Sequence, residues 1–270
     1  MNLTLRARCA VSGALVLVAG TAAAQSLERR IADAPDGRVR FSYAAREGVY
    51  GNGRSVISWN CRDGDCRSRH TDGYDSDIEW GEPCDSGPVR IALTKSGGAI
   101  TDLRVYVGGQ WRPTPASTDL GTVSAREATA YLLALARQGR GRAAERAIFP
   151  ATLAPPESVT VWPELLRIAR DDRISRRVRR SAVFWIGQAA GEAATRGLAE
   201  LVDDDGADRE VREHAVFALS QRPRDEGVPV LIRIALEHRD PELRRKAIFW
   251  LGQSEDPRAL ALFEELLTRP

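Results

Sequence analysis

One eleven-residue pattern occurs three times in the C-terminal half of the chain: Val178-Arg179-Arg180-Ser181-Ala182-Val183-Phe184-Trp185-Ile186-Gly187-Gln188, then Val211-Arg212-Glu213-His214-Ala215-Val216-Phe217-Ala218-Leu219-Ser220-Gln221, then Leu243-Arg244-Arg245-Lys246-Ala247-Ile248-Phe249-Trp250-Leu251-Gly252-Gln253. The copies are offset by 33 and 32 residues. A period of that size marks stacked supersecondary units, each unable to bury its apolar face without a neighbour. A second, upstream set of positions keeps the same period: Leu166, Leu198, Leu231 and Phe263, then Ala169, Leu201, Ile234 and Leu266 three residues on. Each unit therefore reads as two amphipathic helices. The turn into each second helix carries Ser175, Asp208 or Asp240, where a side-chain oxygen can accept orphan backbone N–H groups, and Pro241 fits a first helical position.

Upstream of the array, Ser124 and Glu127 have capping-box spacing and open a helix with the stripe Ala128, Tyr131, Leu132 and Leu135. Residues 142–149 read as its partner, with Pro150 where the repeats have Trp185. Residues 124–158 thus form a degenerate capping hairpin ahead of repeats over 159–270. Earlier still the period is two. Val39, Phe41 and Tyr43 alternate with polar residues, Val56–Trp59 is a further strand candidate, and Pro88–Thr94 alternates again. Ser96-Gly97-Gly98 is a tight turn into a strand ending at Val107, with Leu103, Val105 and Val107 on one face. We expect a small antiparallel β domain over 38–112 with a long loop at 60–83, a polar, mobile segment over 25–37, and a linker over 113–123.

The chain begins with Arg6 and Arg8, an apolar run from Ala10 to Ala19, and Ala22-Ala23-Ala24, the layout of a secretory signal peptide over residues 1–24. The run is shorter than the roughly 20 residues a membrane span needs, so no span is expected after cleavage, and a periplasmic or secreted product follows. Losing Arg6 and Arg8 leaves 37 basic against 37 acidic side chains, a balance that opposes binding driven by phosphate neutralisation. Cys9 departs with the leader. Cys61, Cys66 and Cys84 then form one disulfide and one free thiol in an oxidising compartment, the pairing left open. His70 beside these cysteines lacks zinc-finger spacing, and Asp75, Asp77 and Glu79 lack the glycine of a calcium loop. No metal or cofactor is expected. Neither His70, His214 nor His238 falls in a catalytic motif, so no catalytic residue is assigned.

The second-helix pattern, Val-Arg-x-x-Ala-Val/Ile-x-x-Ile/Leu-Gly after a turn, resembles the HEAT-repeat family in its short form, well over 162–268 and loosely over 124–154. The whole chain is similar to secreted bacterial proteins that join such an array to a small β domain. The resemblance implies a mainly α fold, a right-handed α–α superhelix, with the second helices lining a concave, partner-binding surface. On that surface Arg179, Arg212 and Arg244 would form a ladder, either forks for partner carboxylates or, as the family resemblance implies, braces between repeats. Gln188, Gln221 and Gln253 are expected as buried amides closing turns, and Phe184, Phe217 and Phe249 as core. Trp185 and Trp250 are packing residues or interface anchors. Positions that differ between copies carry the functional question: Arg180, Glu213 and Arg245, then Ser181, His214 and Lys246. The expected function is an exported, monomeric, non-enzymatic scaffold for a protein or peptide partner. The alternatives are a phycobilin-lyase-type enzyme or accessory, which export opposes, and a nucleic-acid binder resembling HEAT-like DNA glycosylases, which the leader and the charge balance oppose.

Overall fold

The computed structural model describes residues 26–53, 61, 62, 65, 66, 78, 79, 81, 85–138, 141–189 and 191–268. Helix α1 (Leu27–Asp33) opens on Ser26, whose hydroxyl accepts from the Arg29 amide. Leu27 and Ile31, four residues apart, are both buried, so the segment expected to be polar and mobile is instead a packed helix. Lys95 explains its anchorage. This buried lysine donates from Nζ to the carbonyls of Ile31, Ala32 and Ala34 at 3.2, 2.6 and 2.6 Å, closing the helix C-terminus with a positive charge.

The strands are β1 (Gly37–Tyr43), β2 (Cys61–Arg62), β3 (Asp65–Cys66), β4 (Ile78–Glu79), β5 (Val89–Ser96), β6 (Ala99–Val107), β7 (Gln110–Trp111) and β8 (Ser117–Thr122). Four of them form a sheet in the order β6-β5-β1-β8; β2 pairs with β3, and β4 with β7. The β5–β6 hairpin turns on Gly97 and Gly98, both at positive φ, and the Asp36 carboxylate accepts both of their amides. Strand β8 is a correction. It lies inside the expected linker and runs parallel to β1, so the sheet is mixed rather than antiparallel.

Period-two alternation divides the sheet faces. Val39, Phe41 and Tyr43 register with Leu93, Ile91 and Val89 and are fully buried on the inner face. On the outer face Ile78, Ala92 and Tyr106 form a small second core with Trp111 against it. There Arg40 and Arg90 lie over the Trp111 ring at 5.2 and 5.7 Å. Arg40 donates to Asp119 and to the Arg112 carbonyl, and Arg90 to the carbonyls of Gly108 and Gly109.

The inner face packs on the first helical hairpin, α2 (Ala125–Arg137) and α3 (Gly141–Ala151), with Phe41 edge-on to Tyr131 at 6.3 Å. The Ser124–Glu127 capping box forms as its spacing predicts. The Tyr43 hydroxyl donates to the Pro150 carbonyl, and the Arg46 amide to that of Leu153. Three further hairpins follow: α4 (Trp162–Arg170) with α5 (Arg176–Gly187), α6 (Glu192–Asp203) with α7 (Arg209–Ser220), and α8 (Arg224–Glu237) with α9 (Pro241–Gly252). A last helix, α10 (Pro257–Thr268), packs alone on α8 and α9. A single hydrophobic core runs from Leu27 to Leu262, so sheet and array share one interior. The second helices pack on one another more closely than the first helices do. The stack therefore bends toward the second-helix face, making that face concave. No described helix is long and apolar enough to cross a membrane.

Candidate functional site on the second helices

Each second helix contributes equivalent positions to the concave face, and the structure separates those that build the stack from those that remain open. Arg179 and Arg212 are buried, at 4% and 8% exposure. Arg179 pairs with the carboxylate of Asp208, the N-cap of the next second helix, so Asp208 makes no side-chain cap of its own. Arg212 donates from Nε to the Val202 carbonyl at 2.9 Å. Arg244 donates to the carbonyls of His238 and Arg239. The ladder thus ties each second helix to the turns around it. A guanidinium so enclosed is a brace, and unpairing it would strand a buried charge.

His238, buried against this row, accepts the Asp240 amide at Nδ1, 3.0 Å away. Its Nε2 lies 3.4 Å from Arg212 Nη2 and 3.8 Å from Asp203. A further brace had no periodic signal. Buried Arg222 donates to Thr195 Oγ1 at 2.8 Å, to the Gly187, Ala189 and Gly191 carbonyls, and to Glu226 at 2.7 Å. It locks the α5–α6 turn to α8. The other two repeats have Ala189 and Ser254 nearest this position, so repetition could not reveal it.

The aromatic positions depart from expectation. Phe184 and Phe217 are only half-buried and Phe249 is 56% exposed, because this row points along the concave face rather than between helices. Trp185 stacks on Phe149 at 5.0 Å and lies edge-on to Phe184 at 5.1 Å. Trp250 contacts Phe217 and Phe249, each at 5.0 Å. Ala218 stands between the two tryptophans and is small where Gly187 of α5 comes close; a Cβ on Gly187 would lie 3.1 Å from it. The result is a half-exposed aromatic ridge made of two ring clusters, one on α3 and α5 and the other on α7 and α9. Gln188, Gln221 and Gln253 are exposed C-caps, not buried amides. Their backbone N–H groups close the helix, which frees the side chains for solvent.

Beside the ridge, Arg176, Arg177, Arg180, Ser181, Phe184 and His214 line an open groove of about 640 Å³ between α5 and α7. Arg176 faces Asp208 and Glu210 at 3.7 and 3.6 Å, and Arg177 faces Glu145 at 3.1 Å. Among the described residues Arg180 has no carboxylate within ion-pair distance. Burial, and then the Arg180 guanidinium, hold the His214 imidazole below its ordinary pKa. The remaining candidates are engaged: Glu213 lies 3.4 Å from both Arg209 and Lys246, and Arg245 pairs with Glu242. The structure thus brings Arg180 and His214 together and leaves Arg179, Arg212 and Arg244 behind them.

Among the described residues no cluster of three or more His, Cys, Asp or Glu could hold a metal ion. Cys84, and with it the cysteine pairing, lies outside the described residues, as do the leader, His70, Val56–Trp59, Asp75 and Asp77. Residues 205–270, which hold α7 to α10, match a family model described as HEAT repeats. No curated protein matches the chain.

Proposed function

We propose that this chain is an exported, non-enzymatic interaction module whose HEAT-repeat array takes a protein or peptide partner along the second-helix face. The observation that carries the reading is the aromatic ridge. Stacking alone would favour burying Phe184, Phe217 and Phe249, yet none of the three is fully buried and all lie on the second-helix face. Large aromatics half-open on a rigid surface are the side chains that anchor interfaces, and a curved array supplies an extended surface for such contacts. Export rests on the leader, which separates a cationic start from an apolar run and small residues.

The test is site-specific photocrosslinking in cells that express the chain. A benzophenone side chain at Phe184 or Phe249 should yield a discrete protein adduct, whereas the same group at Arg196 or Glu200, exposed on a first helix, should not. Equal adducts from both faces, or none from the ridge, would remove the basis for the reading. Fractionation with mass spectrometry of the N-terminus tests export, for which residue 25 should be first.

A further inference from the structure

We infer that the groove between α5 and α7 seats an acidic segment of the partner, with carboxylates on Arg180 and its neighbours and one apolar or aromatic side chain on Phe184. This inference rests on the interaction-module reading and gives the partner its chemistry. Four observations lead to it.

The groove's lining contains three arginines and no carboxylate. Arg180 is exposed and has no ion-pair partner among the described residues, so its fork is available for a bidentate carboxylate. Phe184 supplies half-exposed ring surface beside it, suited to an apolar side chain next to the charge.

The fourth observation compares equivalent positions of the repeats. At the position of Arg177 the other second helices carry Glu210 and Glu242, and at that of Arg180 they carry Glu213 and Arg245. Helices α7 and α9 stack well with acids in their first turns, so stacking does not require arginine there. The first five residues of α5 hold Arg176, Arg177, Arg179 and Arg180 and no acid, crowding positive charge at the end where the helix dipole is also positive. A local conflict with folding preference that the neighbouring copies avoid is the signature of a site kept for binding. Arg176 and Arg177 do meet Asp208, Glu210 and Glu145, but in exposed pairs of the kind that contribute little. An incoming carboxylate can exchange with these at small cost.

The full chain should be titrated with fluorescein-labelled Glu-Glu-Trp-Glu-Glu, with its Gln and Lys counterparts, and with a short DNA duplex. The Glu peptide should bind about tenfold or more tightly than the Gln peptide, as one or two charged contacts provide, and weaken with added salt. Arg180→Glu, at an exposed position where the fold tolerates glutamate in the next repeat, should abolish that preference and turn it toward the Lys peptide. Phe184→Ala should weaken all three peptides alike. Equal binding of the Glu and Gln peptides, an unaltered preference in Arg180→Glu, or tighter binding of the duplex than of the Glu peptide would each overturn the inference. Ridge crosslinks that persist unchanged in Arg180→Glu while the Glu peptide fails to bind would sink the acidic-groove assignment alone and leave the module reading standing.

Discussion

At the scale of single residues, the two lysine and histidine environments decide two measurable properties. Lys95 is buried and its ammonium is the donor to three carbonyls at the end of α1. Lys95→Met keeps the apolar stem and deletes the donors. The expected loss is about 1–3 kcal/mol, the range for leaving buried acceptors unmet, in denaturant unfolding, with faster amide exchange over 27–33. Unchanged exchange there would show that Leu27 and Ile31 alone hold the helix. His214 tests the electrostatics of the groove. Its imidazole is depressed by burial first and by Arg180 second, with Arg176 and Arg177 also in the lining, Glu210 and Glu213 on its own helix, and Lys246 on α9. A depressed folded pKa means that the unfolded imidazole, near 6.5, takes up its proton first as pH falls. Stability is therefore full above that value and declines as pH falls through it toward the folded pKa. Arg180→Gln should raise the His214 pKa in an NMR titration without restoring the ordinary value, because burial remains. A bound acidic peptide should raise it as well, so its affinity should grow on acidification. A histidine titration indifferent to both would place Arg180 away from the ring.

At the scale of elements, the close approach of α8 to the end of α7 is set by Gly227. A Cβ there would lie 2.3 Å from the Leu219 carbonyl oxygen, a backbone atom that cannot swing aside. Two effects of Gly227→Ala oppose each other. Helix propensity favours alanine by up to about 1 kcal/mol, whereas overpacking against a fixed neighbour costs about 1–3 kcal/mol. The clash should win, and the variant should unfold at lower denaturant with an unchanged slope; a stabilised variant would mean that α8 slides freely on α7. The helices themselves were legible because three signals, the apolar stripe, the caps and the period, coincide in each repeat. Two elements escaped for opposite reasons. Helix α1 has only Leu27, Ile31 and Ala32 as apolar residues, and it gains order through Lys95, far away in sequence. Strand β8 is a sheet-edge strand of Ser, Thr, Asp, Leu and Gly, with little alternation to read. Its pairing with β1 is a tertiary fact. In the site, repetition identified Arg179, Arg212 and Arg244 but could not say whether they faced in or out. The positions that vary between copies, those of Arg177, Arg180 and His214, carried the information, and Arg222, which neither repeats nor lies in a helix, left no trace.

At the scale of the whole molecule, a shared interior and a thinly buried α10 predict unequal stability along the chain. The sheet, α1 and the α2–α3 hairpin bury side chains against one another, and the Tyr43–Pro150 and Arg46–Leu153 bonds cross between them. That block has no seam at which to open. The stack beyond it is quasi-one-dimensional, each hairpin held by its neighbours, and among the described residues α10 packs on α8 and α9 alone. In α10 just Ala259 and Leu262 are buried, while Leu260 and Leu267 stand 59% and 86% exposed. Its tether is polar: Arg258 joins Asp256 to the Arg224 carbonyl, and this pairing draws the Asp256 carboxyl down to about 2. A lowered carboxyl pKa contributes stability that is full above its unfolded value and lost as pH falls through the folded one, so α10 should loosen between pH 4 and 2, before the core responds. Near neutral pH, hydrogen exchange should grade from slowest in β1, β5 and α2 to fastest in α10. Removing residues 257–270 should lower the unfolding free energy by only about 2–4 kcal/mol, the burial of one leucine and one alanine, and leave the circular dichroism of the remainder intact. Removing residues 26–43 takes out the central strand and α1 and should abolish cooperative unfolding. If instead both deletions are equally disruptive, or α10 exchanges as slowly as β1, the chain folds as one unit to its last helix and the graded stack is wrong.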